Sequence, residues 1–215
     1  MSRNSLKQEP QQVSNRETEI ILEFARTQLA QEGDWVEFGC YRGDTSLLLE
    51  KILEEDYIVG AADIANATHD IDKHRKQLWI YDSFAGLPEK HAFDNSVAGD
   101  AFQAGELFVT KREVVERFRR AGLRLPVIKK GFFENLDPTE DLPDKIGFAF
   151  LDGDLYQSIK TSLELVKPRL TDGGIILVHD YNNPELPGAA RAVDEWMAKN
   201  PQKQLVKRET IAIIK

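Results

Sequence analysis

The chain has 215 residues, 41% hydrophobic and 30% charged, a composition that suits one α/β domain with a single sizeable core. Its formal net charge of -8 argues against the clustered basic face of a nucleic-acid binder, and no apolar run reaches membrane-spanning length. The single cysteine, Cys40, excludes an intrachain disulfide framework, and with a polar start that lacks an apolar signal core it points to a cytoplasmic protein.

Residues 1–15 are expected as a disordered tail, leaving 16–215 as the folded domain. Ile20, Ile21, Phe24, Ala25 and Leu29 recur at helical spacing, with Gly33 as the stop. "DWVEFG" then reads as a short strand, followed by a glycine-containing turn and the helix "DTSLLLEKILEE". Residues 56–77 are charged and without period, and the sequon Asn66-Ala67-Thr68 within them is read as chance. "QLWIYDS" is a second strand. Residues 85–108 form a long insertion without periodicity, and such segments in compact domains are functional or disordered. "TKREVVERFRRAG" carries a capping box, Thr110 with Glu113, and stops at Gly122. Glu113 and Glu116 inside that basic run make it a solvated helix face.

"LPVIKKG", "KIGFAFLD", "GGIILVHD", "QLVKRE" and "IAIIK" supply five further strands, and "LYQSIKTSLELVKPRL" and "PGAARAVDEWMAKN" two further helices. Strands alternating with helices give a parallel sheet covered on both faces. The last two strands leave no room for a crossover helix, so they form an antiparallel hairpin.

In such a sheet, ligands bind outside the carboxyl ends of the strands, near the switch point. Five strands here end in "EFGCYRG", "YDSF", "KKGFF", "LDGDLY" and "VHDYNN". Gly39 and Gly43 sit between strand and helix, where glycine lets a backbone approach a ligand, with Cys40, Tyr41 and Arg42 between them as candidate cofactor contacts. Tyr41 breaks the dinucleotide fingerprint, and the Gly-Lys-Ser/Thr of a phosphate loop is absent. Cys40 has no evident partner base, so it reads as a small packed residue rather than a nucleophile. Glu37 lies within the first strand end, and Asp82 closes the second strand, where a carboxylate accepts from both ribose hydroxyls. Ser83 follows it. Phe84, and Phe132 after Gly131, either offer an apolar face to a purine or pack in the core. An adenosine ligand without a diphosphate fits this set, and S-adenosylmethionine is the common one.

"GFAFLDGDLYQS" begins as a strand buried on both faces and ends in Asp152 and Asp154. Burying charge is costly unless it is paired, hydrogen-bonded or metal-bound, so these acids cap a helix, hold a metal or take a proton.

Six segments, "VEFGCYRGDTS", "LWIYDSFAGLPE", "VIKKGFFENL", "FLDGDLYQS", "DGGIILVHDY" and "PGAARAVDEW", occur in an order that resembles the macrocin-type O-methyltransferases, class I S-adenosylmethionine-dependent enzymes that modify sugars on natural products. The resemblance covers most of residues 34–197 and implies a single-domain, Rossmann-like, seven-stranded and mostly parallel sheet with an antiparallel C-terminal strand. It further implies a divalent-metal site, Mg2+ or Mn2+, carried over onto Asp152, His179 and Asp180, with Asp154 as the candidate base. His179 stands where the family more often has aspartate. Imidazole tilts such a set toward softer ions, and His179 is open to three readings: ligand, general base or structural histidine. Tyr181, Asn182 and Asn183 line the acceptor mouth or simply make a turn. Residues 85–108 then read as a lid over cofactor and acceptor, with Phe93 and Phe102 as acceptor contacts.

The leading expectation is metal-assisted O-methylation of a sugar or polyol-like hydroxyl on a small-molecule acceptor, with no nucleic acid or membrane partner. The alternatives are a catechol-type O-methyltransferase, for which His179 alone would suffice, and a non-catalytic binder of adenosyl ligands. By analogy the class also admits a homodimer.

Overall fold

The computed structural model describes residues 12–63, 75–97, 99 and 101–215. Five parallel strands, β1 (Asp34–Phe38), β2 (Leu78–Asp82), β3 (Val127–Lys130), β4 (Ile146–Leu151) and β5 (Leu170–Val178), join an antiparallel hairpin of β6 (Leu205–Arg208) and β7 (Ile211–Ile214). The sheet order is β3-β2-β1-β4-β5-β7-β6, so the reversed β7 lies between β5 and β6. This is the seven-stranded, mostly parallel architecture expected from the sequence. Among the described residues, no helix is long and apolar enough to cross a membrane.

All six residues of β4 are buried, which is why it reads as an unbroken apolar run. Side chains alternate between the two faces of the sheet. Val36, Phe38, Ala149, Leu151 and Val178 pack with α4 (Tyr156–Val166) and α5 (Pro187–Lys199). Trp35, Phe148, Phe150 and Leu177 pack with α1 (Asn15–Thr27), α2 (Asp44–Asp63) and α3 (Lys111–Ala121). The edge strands carry Lys129 and Lys130 on one side and Lys207 and Arg208 on the other, charges that discourage pairing with another chain.

The capping box on α3 and the left-handed Gly122 that ends it are present as expected. Three boundaries differ from the sequence reading. The tail boundary at residue 16 falls inside α1: Val13 is buried and Ser14 caps the helix in a box with Glu17, while residues 1–11 and the sequon lie outside the described residues. α1 ends at Thr27, well before Gly33, whose task is elsewhere. A Cβ on Gly33 would stand 2.7 Å from the backbone nitrogen of Gly147, so this glycine admits the chain against β4. α2 continues past Glu55 to Asp63, and Arg75 pairs with Glu54 at 2.5 Å and lies over the ring of Tyr57, within this extension, at 4.1 Å.

Candidate active site

Strand order reverses between β1 and β4, which opens a crevice at their carboxyl ends. The parallel ladder continues one residue beyond each strand there. The Gly39 N–H donates to the Tyr81 carbonyl (2.8 Å), that of Asp152 to Phe38 (2.8 Å) and that of His179 to Leu151 (2.9 Å). Asp152 and His179, far apart in sequence, therefore stand on adjacent strands at the sheet edge. Four non-glycine residues in these loops have left-handed backbones: Tyr41 (φ 43°), Phe84 (48°), Asp154 (59°) and Asp180 (60°). Such a conformation costs roughly 1–2 kcal/mol per residue and persists only where surrounding contacts fix it.

A cavity of about 440 Å³ occupies the crevice. Of the residues expected at the site, Gly39, Tyr41, Asp82, Ser83 and Phe132 line it, together with Asp152, Asp154, His179 and Asp180. Glu37, Cys40 and Arg42 line a smaller side cavity that shares Gly39, Tyr41 and Asp152 with the first. Gly43, Phe84 and Gly131 line neither. Phe84 is buried in the core on the α1–α3 side. The glycine at 39 is required mainly by crowding: a Cβ there would sit 2.0 Å from the Asp152 carbonyl oxygen. Phe102 lines the cavity, whereas Phe93 packs against His91 and Tyr156 under the Arg191 guanidinium.

Asp82 organises the first loop. Its Oδ2 accepts from the N–H of Cys40 (3.2 Å) and Tyr41 (2.9 Å), and its Oδ1 from that of Phe84 (2.8 Å). A carboxylate has about four acceptor positions, so capacity remains for a hydroxyl. Burial raises the Asp82 pKa against the pull of these amides. Glu37 is fully buried, accepts from Ser46 Oγ, and is pushed up to about 8 by burial. Burial also pushes the Cys40 thiol well up, in keeping with a packed, unreactive cysteine.

Asp152, His179 and Asp180 each bring one donor atom within 4.8 Å of the others. His179 Nδ1 stands 2.9 Å from Asp152 Oδ1 and 3.0 Å from Asp180 Oδ2. Donor atoms in adjacent positions around an ion with bonds of about 2.1 Å are roughly 3 Å apart, and both spacings from His179 match that. Two carboxylates and an imidazole suit Mn2+, Fe2+ or Zn2+ as well as Mg2+. The other ring nitrogen, Nε2, is buried with no hydrogen-bond partner among the described residues and faces Glu17 Oε1 at 3.6 Å. Desolvation lowers the His179 pKa, but Asp152, Asp180 and Glu17 together outweigh it and hold the imidazole well above its ordinary range. Asp154 is raised well above the carboxylate range by burial, then by Asp152 and Asp180. Lining residues Asp82, Glu106, Asp152, Asp154, Asp180 and Glu185 are acids, and no described lining residue is Lys or Arg. The cavity favours cations.

The expectation that Asp154 also caps the following helix is not met. Leu155 holds the N-cap position of α4 without a side-chain bond, and the Tyr156 N–H donates instead to Asp94 Oδ1 (2.8 Å). Asp94 was not singled out in the sequence because it lies in the aperiodic insertion. Its Oδ2 accepts from the His91 N–H (2.8 Å), and a Cβ on Gly188 of α5 would reach 1.8 Å from Oδ1. This buried acid thus fastens the insertion to α4 and α5, and the same insertion supplies Leu87, Phe102 and Leu107 to the cavity wall. Asp94→Ala is expected to lower stability by about 1–2 kcal/mol, the usual worth of a helix cap, measured as a shifted denaturant midpoint at constant slope.

The comparisons with known proteins agree with this architecture. The family model described as macrocin-O-methyltransferase (TylF) matches residues 18–208. A demethyldecarbamoylnovobiocin O-methyltransferase from Streptomyces niveus is 31% identical over 174 residues, 78% of this chain and 59% of the relative. The 8-demethyl-8-(2,3-dimethoxy-alpha-L-rhamnosyl)-tetracenomycin-C 4'-O-methyltransferase of Streptomyces olivaceus is 31% identical over 155 residues, 69% of this chain and 53% of the relative. The chain thus spans less than two thirds of the length of these relatives. Among solved structures, the O-methyltransferase NovP superimposes with a TM-score of 0.70 at 26% identity, over 92% of this chain and 78% of the other. With the fold, the switch-point cavity and a match across nearly its whole length, the chain belongs to the macrocin-O-methyltransferase (TylF) family.

Proposed function

We propose that this protein transfers the methyl group of S-adenosylmethionine to a hydroxyl of a small, sugar-containing acceptor. The observation that carries the reading is one acidic cavity that brings together Asp82, Asp154 and the Asp152–His179–Asp180 donor set. Family membership supports methyl transfer, and the relatives named above are O-methyltransferases, one of them named for a rhamnosyl-bearing substrate. An acidic, cation-favouring wall suits a sulfonium donor and a neutral acceptor.

In this reading Asp82 accepts from the ribose hydroxyls while holding the 39–43 loop. The acceptor oxygen attacks the methyl carbon in line, the C–S bond breaks, and the acceptor proton passes to Asp154. A divalent ion held by Asp152, His179 and Asp180 would supply positive charge beside the developing alkoxide. Both nitrogens of His179 face carboxylates, so the base role goes to Asp154. Segment 85–108 walls the reacting groups from water. A cytoplasmic setting belongs to the same proposal, supported by a lone, buried and unreactive cysteine.

Calorimetric titration with S-adenosylmethionine and S-adenosylhomocysteine, first with EDTA and then with Mg2+ or Mn2+, tests this. The wild type is expected to bind with roughly micromolar affinity, and Asp82→Ala at least about tenfold more weakly, a loss of about 1.4 kcal/mol or more. Absence of binding by the folded wild type under every condition overturns the methyltransferase reading.

A further inference from the structure

Glu17 lies at the start of the first helix, remote in sequence from every motif at the strand ends, yet its carboxylate reaches the donor set. Its Oε2 accepts from the Ser14 N–H at 2.8 Å, and its Oε1 accepts from the Thr210 hydroxyl, so the group is held from two sides of the molecule. It is 8% exposed and His179 5%. Oε1 faces the orphaned Nε2 of His179 across 3.6 Å, while Nδ1 points at Asp152 and Asp180. A metal-binding histidine presents a bare nitrogen to the ion and keeps its proton on the other, and a carboxylate beyond that second nitrogen fixes tautomer and ring orientation.

We propose that Glu17 is a positioning residue that retains a proton on His179 Nε2 and fixes the ring so that Nδ1, bared when a divalent ion takes the place of its proton, faces the space shared with Asp152 and Asp180. The N-terminal helix is in this way part of the metal site without contributing a ligand. The inference rests on the metal-assisted reading above. It also gives the Ser14–Glu17 capping box a second task. The box fixes the helix start with one carboxylate oxygen and leaves the other to Thr210 and the imidazole.

Binding of Mn2+ alone, followed by calorimetry on the full chain without donor or acceptor, separates the roles. Glu17→Gln keeps a residue that completes a capping box but is a weaker acceptor for the imidazole N–H, and is expected to bind Mn2+ roughly 10- to 100-fold more weakly than wild type. Ser14→Ala weakens the same box while leaving Glu17 opposite His179, and is expected to match wild type within about twofold. With diamagnetic Zn2+ in place of Mn2+, long-range nitrogen–proton correlations of His179 should show the Nε2-protonated form in the loaded wild type and in Ser14→Ala. Equal Mn2+ affinity in wild type and Glu17→Gln overturns the role given to Glu17 and leaves the metal site standing. An equal loss in Ser14→Ala and Glu17→Gln also overturns it, since helix capping alone would then explain the effect. A wild type that binds no Mn2+ overturns the metal reading itself, and the inference falls with it.

Discussion

Asp154→Asn is expected to lower kcat by about two to four orders of magnitude, the usual contribution of a positioned general base, while binding of S-adenosylmethionine stays near the wild-type value. Asparagine keeps the size of the side chain and its hydrogen-bonding oxygen but cannot take a proton. The position is exacting for reasons visible in the fold. Asp154 sits in a left-handed turn three residues beyond β4, in the wall of the cavity and beside the Asp152 carboxylate. Burial and the like charges of Asp152 and Asp180 raise its pKa well above the ordinary carboxylate range when the cavity contains only its own acids. A protonated carboxyl is no base. Cations resident in the cavity reverse the sign of the local field, which brings such a group back toward the working pH. Activity of the loaded wild type should therefore rise with pH through an Asp154-dependent limb, and that limb should be missing from the residual activity of Asp154→Asn. The measurement is steady-state transfer to whichever glycoside acceptor the wild type turns over, across pH 6 to 9. A variant with wild-type kcat and an unchanged pH profile would remove Asp154 from the mechanism.

The strands and the residues that gather at their ends were legible because both are local. An apolar run that stops at an acid or a glycine announces a buried parallel strand and its loop, as in "GFAFLDGD", and the box of Thr110 and Glu113 with Gly122 bounds α3 within its own residues. What stayed hidden depends on partners distant in the chain. Asp94 caps α4 from 62 residues away, so a helix start without its own capping side chain invited the neighbouring Asp154 into that role. Glu17 belongs to no strand-end motif, and only the return of β7 beside β5 places Thr210 against it. Phe84 was ambiguous as well. An aromatic after a strand-end acid can face either way, and the packing that puts it among Val109, Val114 and Phe118 lies far along the chain.

Glu37→Gln is expected to make the folded protein more stable than wild type at pH 9, by an amount on the order of 5 kcal/mol for the full shift. The carboxyl is 1% exposed and its pKa rises from 4.5 to about 8, burial being the main cause, with Asp152 and Asp82 adding to it against the Ser46 hydroxyl. The folded state therefore binds this proton more tightly than the unfolded chain. Below pH 4.5 both states are protonated and Glu37 adds no pH dependence. Between 4.5 and 8 the unfolded chain releases the proton while the folded one keeps it, so stability falls as pH rises, by up to about 1.4 kcal/mol per unit. Above 8 the loss is complete. Glu50 serves as a control away from the cavity. It is fully buried on α2, with Arg124 3.1 Å from one oxygen, the other unpartnered, and a pKa raised to about 7. Glu50→Gln should flatten the same curve only up to about pH 7 and leave donor affinity untouched. Glu37 differs because it opens on the side cavity shared with Gly39 and Asp152. A cationic donor bound there favours its ionised form, so binding near pH 7 should release a proton, seen as a calorimetric enthalpy that varies with the ionisation enthalpy of the buffer. Glu37→Gln should abolish that dependence. Denaturation of the wild type across pH 5 to 9 with no decline attributable to Glu37, and donor binding with no buffer dependence, would mean that Glu37 is already ionised in the fold and that its burial is compensated by charge.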